Sequence, residues 1–196
     1  MAGDITALVD QFVQKVNARK HIERFPEDIP EFLRFPYRGE EALDKNEWTD
    51  WQIIAVDHTV RIRELETRIG RSFPKPFRDL IARYSFPEFD CGPLTFYSNT
   101  GHDLVYELSV RLFHDPIMSP VLLEADYIQI GQPFIPNYDP VCLAPSEPGQ
   151  ERAVVQLDHE MILQHRQIER VSILAPSFTD LLNQLVHGDA MADEVG

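Results

Sequence analysis

The 196-residue sequence predicts an α+β fold, with a single mixed or mainly antiparallel sheet flanked by helices. Two observations predict it. Apolar residues recur at the helical period of about 3.6 near both ends of the chain, and alternate at the strand period between Tyr127 and Leu157. Helices therefore come first, then strands, then a helix, without the regular strand–helix alternation of a parallel sheet.

The first helix is marked by Ile5, Leu8, Val9, Phe12, Val13 and Val16 on one stripe. Asp4 stands where an N-cap belongs, and Lys15, Arg19 and Lys20 suit the negative end of the helix dipole. Such a stripe binds a partner or packs on its own core; the second is the preferred expectation. From His21 to Trp51 the periodicity breaks at Pro26, Pro30 and Pro36, around two copies of Arg-Phe-Pro. Two copies do not make a solenoid. The segment reads as a proline-rich strap with short helical turns, its aromatics held on the main domain, and Trp48 and Trp51 on one helical turn.

Ile62, Leu65 and Ile69 predict a helix ending at Gly70, a residue suited to a left-handed cap. A second helix follows, capped by Ser72 or Phe73, carrying Phe77, Leu80, Ile81 and Tyr84 and stopping at the Phe86-Pro87 step. Strands are expected at Leu94 to Tyr97, at Tyr127 to Ile130 with Gly131 closing it, at Val141 to Leu143 and at Ala153 to Asp158. Asp103 to Phe113 and Met118 to Glu124 read as helices of weak periodicity. Ser177, with Asp180 three residues on, opens a final helix carrying Phe178, Leu181, Leu182 and Leu185 that stops at Gly188. The organisation is then an N-terminal helix and strap (1–51), an α+β domain (52–188) and an acidic, disordered tail (189–196).

Composition narrows the function. Hydrophobic residues at 43% and charged residues at 26% are ordinary globular usage, enough for a sizeable core. Acidic residues number 32 against 18 basic, a net charge of −14, which repels phosphate backbones and anionic membrane surfaces and attracts a basic partner. The longest apolar runs, such as Val171 to Ala175, are far shorter than the roughly 20 residues that span a bilayer. The first residues carry no basic flank and no apolar signal core, so no secretory peptide is expected. Two cysteines make neither a disulfide framework nor a four-cysteine zinc site, and a cytoplasmic protein of a reducing compartment is expected.

Chemistry-bearing motifs are few. The glycine-rich phosphate fingerprints and the nucleophile elbow are absent. Asp158-His159-Glu160 followed by His165 fails as a zinc-protease pair, because two histidines six apart diverge by roughly 240° around a helix. Read as strand, Asp158 and Glu160 share one face and His159 the other, so the trio does not converge for acid–base work. Cys142 lies in a strand pattern as a small buried hydrophobe, and Cys91 has acidic neighbours that blunt a thiolate. No catalytic residue, metal ligand or cofactor is therefore expected.

What remains is acidic surface interleaved with Phe86, Phe89, Phe96, Tyr97, Tyr127 and Tyr138. It is either a docking surface, steered by charge and anchored by rings, or a solvated acidic shell over a core that owns the rings. On the docking reading the contact residues are Glu88, Asp90, Tyr97, Tyr138, Asp139, Asp158 and Glu160.

The order of motifs resembles the SUKH superfamily. Ile62-x-x-Leu65-Glu66-x-x-Ile69-Gly70-x-x-Phe73-Pro74-x-x-Phe77-x-x-Leu80-Ile81-x-x-Tyr84 is similar to its opening pair of helices. Leu94 to Ser98, Tyr127 to Gly131 and Tyr138 to Leu143 are similar to its successive strands, Val154 to Glu160 to its penultimate strand and Ser177 to Leu182 to its closing helix. The match runs from Gln52 to His187. It departs at Tyr84-Ser85-Phe86-Pro87, where the family commonly has an asparagine–glycine turn, and leaves residues 1–51 outside. The resemblance implies an α+β fold without catalytic machinery and two kinds of role. Many bacterial members are immunity proteins that bind and neutralise a cognate toxin, often a nuclease; fungal relatives are interaction hubs linked to cell-wall synthesis and signalling. A scaffold that binds through residues 1–51 is the alternative, and a hydrolase using Asp158, His159 or Cys91 ranks last.

Overall fold

The computed structural model describes residues 4–19, 22–23, 29–35, 49–100, 106–134 and 137–188. The fold is α+β, built on a six-stranded antiparallel sheet. Helix α1 (Ile5–Asn17) begins at Asp4, whose carboxylate accepts the Thr6 N–H at 3.0 Å. It buries Val9, Phe12, Val13 and Val16 in the main core, so its apolar stripe is not a free partner-binding face. In the strap, β1 (Ile22–Glu23), a 3-10 turn at Glu31–Leu33, β2 (Arg34–Phe35) and β3 (Thr49–Trp51) form a small sheet in the order β1-β3-β2. Trp51 is a buried strand residue whose ring is tilted against that of Phe89, 5.4 Å between centroids, which corrects the helical turn expected for it; Trp48 lies outside the described residues.

Strand β4 (Ile54–Ala55) leads into α2 (Thr59–Ile69), which ends at Gly70 with φ +78°. Helix α3 (Lys75–Arg83) starts after Pro74, one or two residues later than expected, because the fixed proline backbone opens the turn without a side-chain cap. It also ends earlier than Phe86-Pro87. Tyr84–Ser85 leaves the helix as β5 and pairs antiparallel with β4, so sheet hydrogen bonds override the helical spacing of Tyr84.

The main sheet is a meander: β6 (Phe89–Cys91), β7 (Leu94–Phe96), β8 (Ile128–Pro133), β9 (Val141–Leu143), β10 (Val154–Leu157) and β11 (Arg170–Ala175), each beside its sequence neighbours. Helices α4 (Tyr106–Phe113) and α5 (Met118–Glu124) are inserted between β7 and β8. Strand β8 runs past Gly131. A side chain there would stand 2.2 Å from the Thr95 carbonyl oxygen, and the register shifts between Gln129 and Gly131, so this glycine permits close strand approach at an irregularity and does not end the strand.

The alternation of β10 divides two hydrophobic layers. Val154 points into the main cluster with α1, α3 and α6 (Phe178–His187), where Phe96 meets Phe12 at 5.9 Å and Phe178 at 6.3 Å. Val155 and Leu157 face a smaller cluster with Met118 and Leu122 of α5 and with Ile162. Ser177 caps α6 through the Asp180 N–H at 2.9 Å. Residues 189–196, the expected tail, lie outside the described residues, among which no helix is long and apolar enough to cross a membrane.

Candidate functional site

Strand β10 ends at Leu157, and this decides the site. Asp158 is already out of the sheet, His159 and Glu160 enter helical backbone, and a π-helical turn follows at Met161–His165. The strand-face argument that separated Asp158 from His159 therefore fails. The turn brings His159 over the start of β9, where its Nδ1 lies 2.7 Å from Asp139 Oδ1. The His159 backbone N–H donates to the same oxygen at 3.1 Å, while Gln156 and Asn137 side-chain amides donate to Oδ2 at 2.7 and 2.8 Å. The Leu157 N–H donates to the Pro140 carbonyl at 3.0 Å, which brings the two strand ends into register.

Asp139 is thus a buried carboxylate with donors on both oxygens. Burial alone raises its pKa, but the hydrogen bonds from His159, Gln156 and Asn137 outweigh it and hold the group below the usual carboxylate range. An ionised Asp139 can only accept, so the hydrogen in this contact sits on His159 Nδ1. Asp158 Oδ1 accepts the Met161 N–H at 3.0 Å, capping the π-helical turn. One ligand atom each of Asp139, Asp158 and His159 lies within 4.8 Å of the others, a spacing a divalent cation can bridge. Direct ligation by Asp139 would give up amide hydrogen bonds that orient it, so its present role is to hold His159.

The backbone around this network is unusual. Tyr138 has φ +66° and Arg166, which closes the π-helical turn, has φ +54°. Non-glycine residues in the left-handed region and π-turns both concentrate at functional sites. The Tyr138 ring is 82% exposed, its centroid 6.0 Å from that of His159. Glu160 is exposed, Asp158 partly so, and Leu163 of the π-helical turn is an exposed large hydrophobic residue.

The seven expected contact residues divide into two groups. Tyr138, Asp139, Asp158 and Glu160 gather here. Glu88, Asp90 and Tyr97 lie on or beside β6 and β7, with Glu88 and Tyr97 at the opposite end of the sheet. Two of the seven are not surface. Asp139 is 5% exposed, and Tyr97 is 6% exposed, its hydroxyl accepting from Gln129 at 2.7 Å beneath the Arg111 guanidinium. Glu88 pairs with Arg111 at 3.3 Å; partial burial raises its pKa, with Asp90 and Glu107 adding to the effect and Arg111 opposing it. The Asp90 carboxylate accepts from the Thr95 hydroxyl. Of the six interleaved aromatics the core owns five, leaving Tyr138 at the surface.

Sequence reasoning missed Asn137, Gln156 and the Asp139–His159 pair. The Asn-Tyr-Asp turn is legible, but nothing local says that it meets a histidine 20 residues later. Strand β11 was also missed: Val171 and Ile173 are 53% and 63% exposed, too little buried to alternate clearly. It is a terminal strand of the sheet. Both thiols are buried, and burial pushes Cys91 up to about 12, which leaves neither cysteine poised as a nucleophile beside His159. No family model and no curated protein matches the chain.

Proposed function

We propose that this is a cytoplasmic, non-enzymatic protein-binding module that neutralises a cognate basic toxin domain, with Tyr138 as the central contact. The observation that supports this reading is the exposed Tyr138 ring, held on left-handed backbone beside a buried, hydrogen-bonded Asp139 and next to the acidic Asp158 and Glu160. A rigid aromatic anchor with a polar, charged rim is the usual anatomy of a binding hot spot, and the net charge of −14 steers a cationic partner toward it. The SUKH resemblance points the same way, toward an immunity protein. Its fungal branch gives the second reading, a scaffold in cell-wall regulation. Burial of the α1 stripe speaks against the form of scaffold that binds through that helix.

The test is a tagged pull-down at low and at high salt, with wild type beside a Tyr138→Ala/Asp158→Asn/Glu160→Gln variant. A single basic partner, lost in the variant and at high salt, supports the toxin reading. A partner that the variant retains with unchanged salt dependence overturns it, and a salt-insensitive set of housekeeping proteins favours the scaffold.

A further inference from the structure

His58 is the N-terminal boundary residue of α2 and sits where β4 turns into that helix. Its ring is 2% exposed, and neither Nδ1 nor Nε2 has a hydrogen-bond partner among the described residues. A buried polar group normally has one, because leaving it dry and unpaired forfeits the hydrogen bonds it makes to water when exposed. Among the described residues no countercharge touches the ring. Asp57, next in the chain, acts on it through space but accepts the Thr59 N–H. On α2, Arg61 is turned to Glu64. On α3, Arg83 is turned to Asp10, and Asp79 is taken by Lys75. At the start of β5 the Tyr84 hydroxyl donates to Asp10 at 2.7 Å.

The backbone around the ring is a clasp. The Val56 N–H donates to the Arg83 carbonyl at 2.9 Å and the His58 N–H to the Ala82 carbonyl at 2.7 Å, continuing the β4–β5 pairing to the end of α3. This short ladder ties the segment after Trp51 to the helical layer. The geometry points to His58 as an acid-sensitive clasp: the junction closes over a neutral ring and opens when that ring takes up a proton.

The sign follows from linkage. Burial lowers the His58 pKa in the closed state, and Asp57 offsets this only in part. The open state, with a pKa near the ordinary value of about 6.5, binds more protons as pH falls. Closure is therefore unaffected well above pH 6.5 and weakens below it, the opening constant rising by at most about tenfold per pH unit for one proton.

Hydrogen exchange on the full chain at pH 7.5 and 5.5, corrected for intrinsic rates, tests this. The expected result is a larger opening constant at pH 5.5 for the Val56 and His58 amides, with the Leu181 amide at the start of α6 unchanged. His58→Phe, which fills the site without a titrating group, abolishes the pH dependence, and His58→Gln does the same if the larger ring fails to pack. A variant with the wild-type pH profile, a flat wild-type profile, or opening of the clasp and α6 together would each overturn the proposal.

Discussion

Asp139 shows at the scale of one residue how a polar network is read as stability. Its carboxylate receives side-chain amides from two directions and both a ring and a backbone donor from His159. Asp139→Asn replaces an acceptor with a group that must itself donate, so at least one part-buried donor loses its partner. The expected cost is about 1–3 kcal/mol, measured by denaturant unfolding at pH 7. The pH dependence has a definite sign. A carboxyl with a lowered folded-state pKa stabilises above its unfolded value of about 3.9 and loses that contribution as pH falls through the folded one. The gap between wild type and variant thus narrows under acid stronger than about pH 3.9. A gap that widens there would contradict the charged-acceptor role.

At the scale of elements, two glycines separate backbone conformation from close approach. Gly70 has φ +78° and open space where a side chain would go, so Gly70→Ala is expected to cost about 1 kcal/mol through the left-handed backbone. Gly131 would drive a Cβ against the Thr95 carbonyl, and Gly131→Ala is expected to cost about 3 kcal/mol or more by forcing β7 and β8 apart. Thermal unfolding of the two variants checks the ranking. The same pair shows what sequence reveals. Gly70 ends a periodic run and is legible as a cap, whereas Gly131 reads in sequence as a stop because the strand that crowds it lies over 30 residues back. Elements with their own cap and stripe, α1 and α6, are legible within a residue or two, as is the end of α2 at Gly70. Strands β5, β6 and β11 are not, since two or three residues, or an exposed edge, leave no pattern to count. The candidate site is half legible: its acidic residues and Tyr138 stand out in the sequence, but the pairing of Asp139 with His159 depends on where β10 ends.

For the whole molecule, the question is whether residues 1–51 are an appendage or part of the core. Helix α1 packs on α3 and α6, Asn17 exchanges hydrogen bonds with Ile53 at 2.8 Å, and Trp51 lies among the core aromatics. Removing a buried phenylalanine costs about 3–5 kcal/mol, a large part of a domain's usual net stability. Deleting residues 1–51 removes Phe12 with its neighbours and is expected to leave a chain without a cooperative thermal transition, followed by circular dichroism. A truncated chain that unfolds cooperatively near the wild-type temperature would make the segment dispensable to folding and return it to the scaffold reading.

The contact between α1 and α6 also orders events in time. Lys15 Nζ reaches the Val186 carbonyl at 2.8 Å, so an early helix of the chain closes onto a late one. The meander joins neighbours in sequence and can assemble hairpin by hairpin as the polypeptide emerges from the ribosome. The α1 stripe cannot be covered that way in full. Helix α3 can meet it once about 80 residues are made, but α6 follows α1 by well over a hundred residues, and in that window a chaperone, or misassociation with another nascent chain, competes for the face that α6 covers.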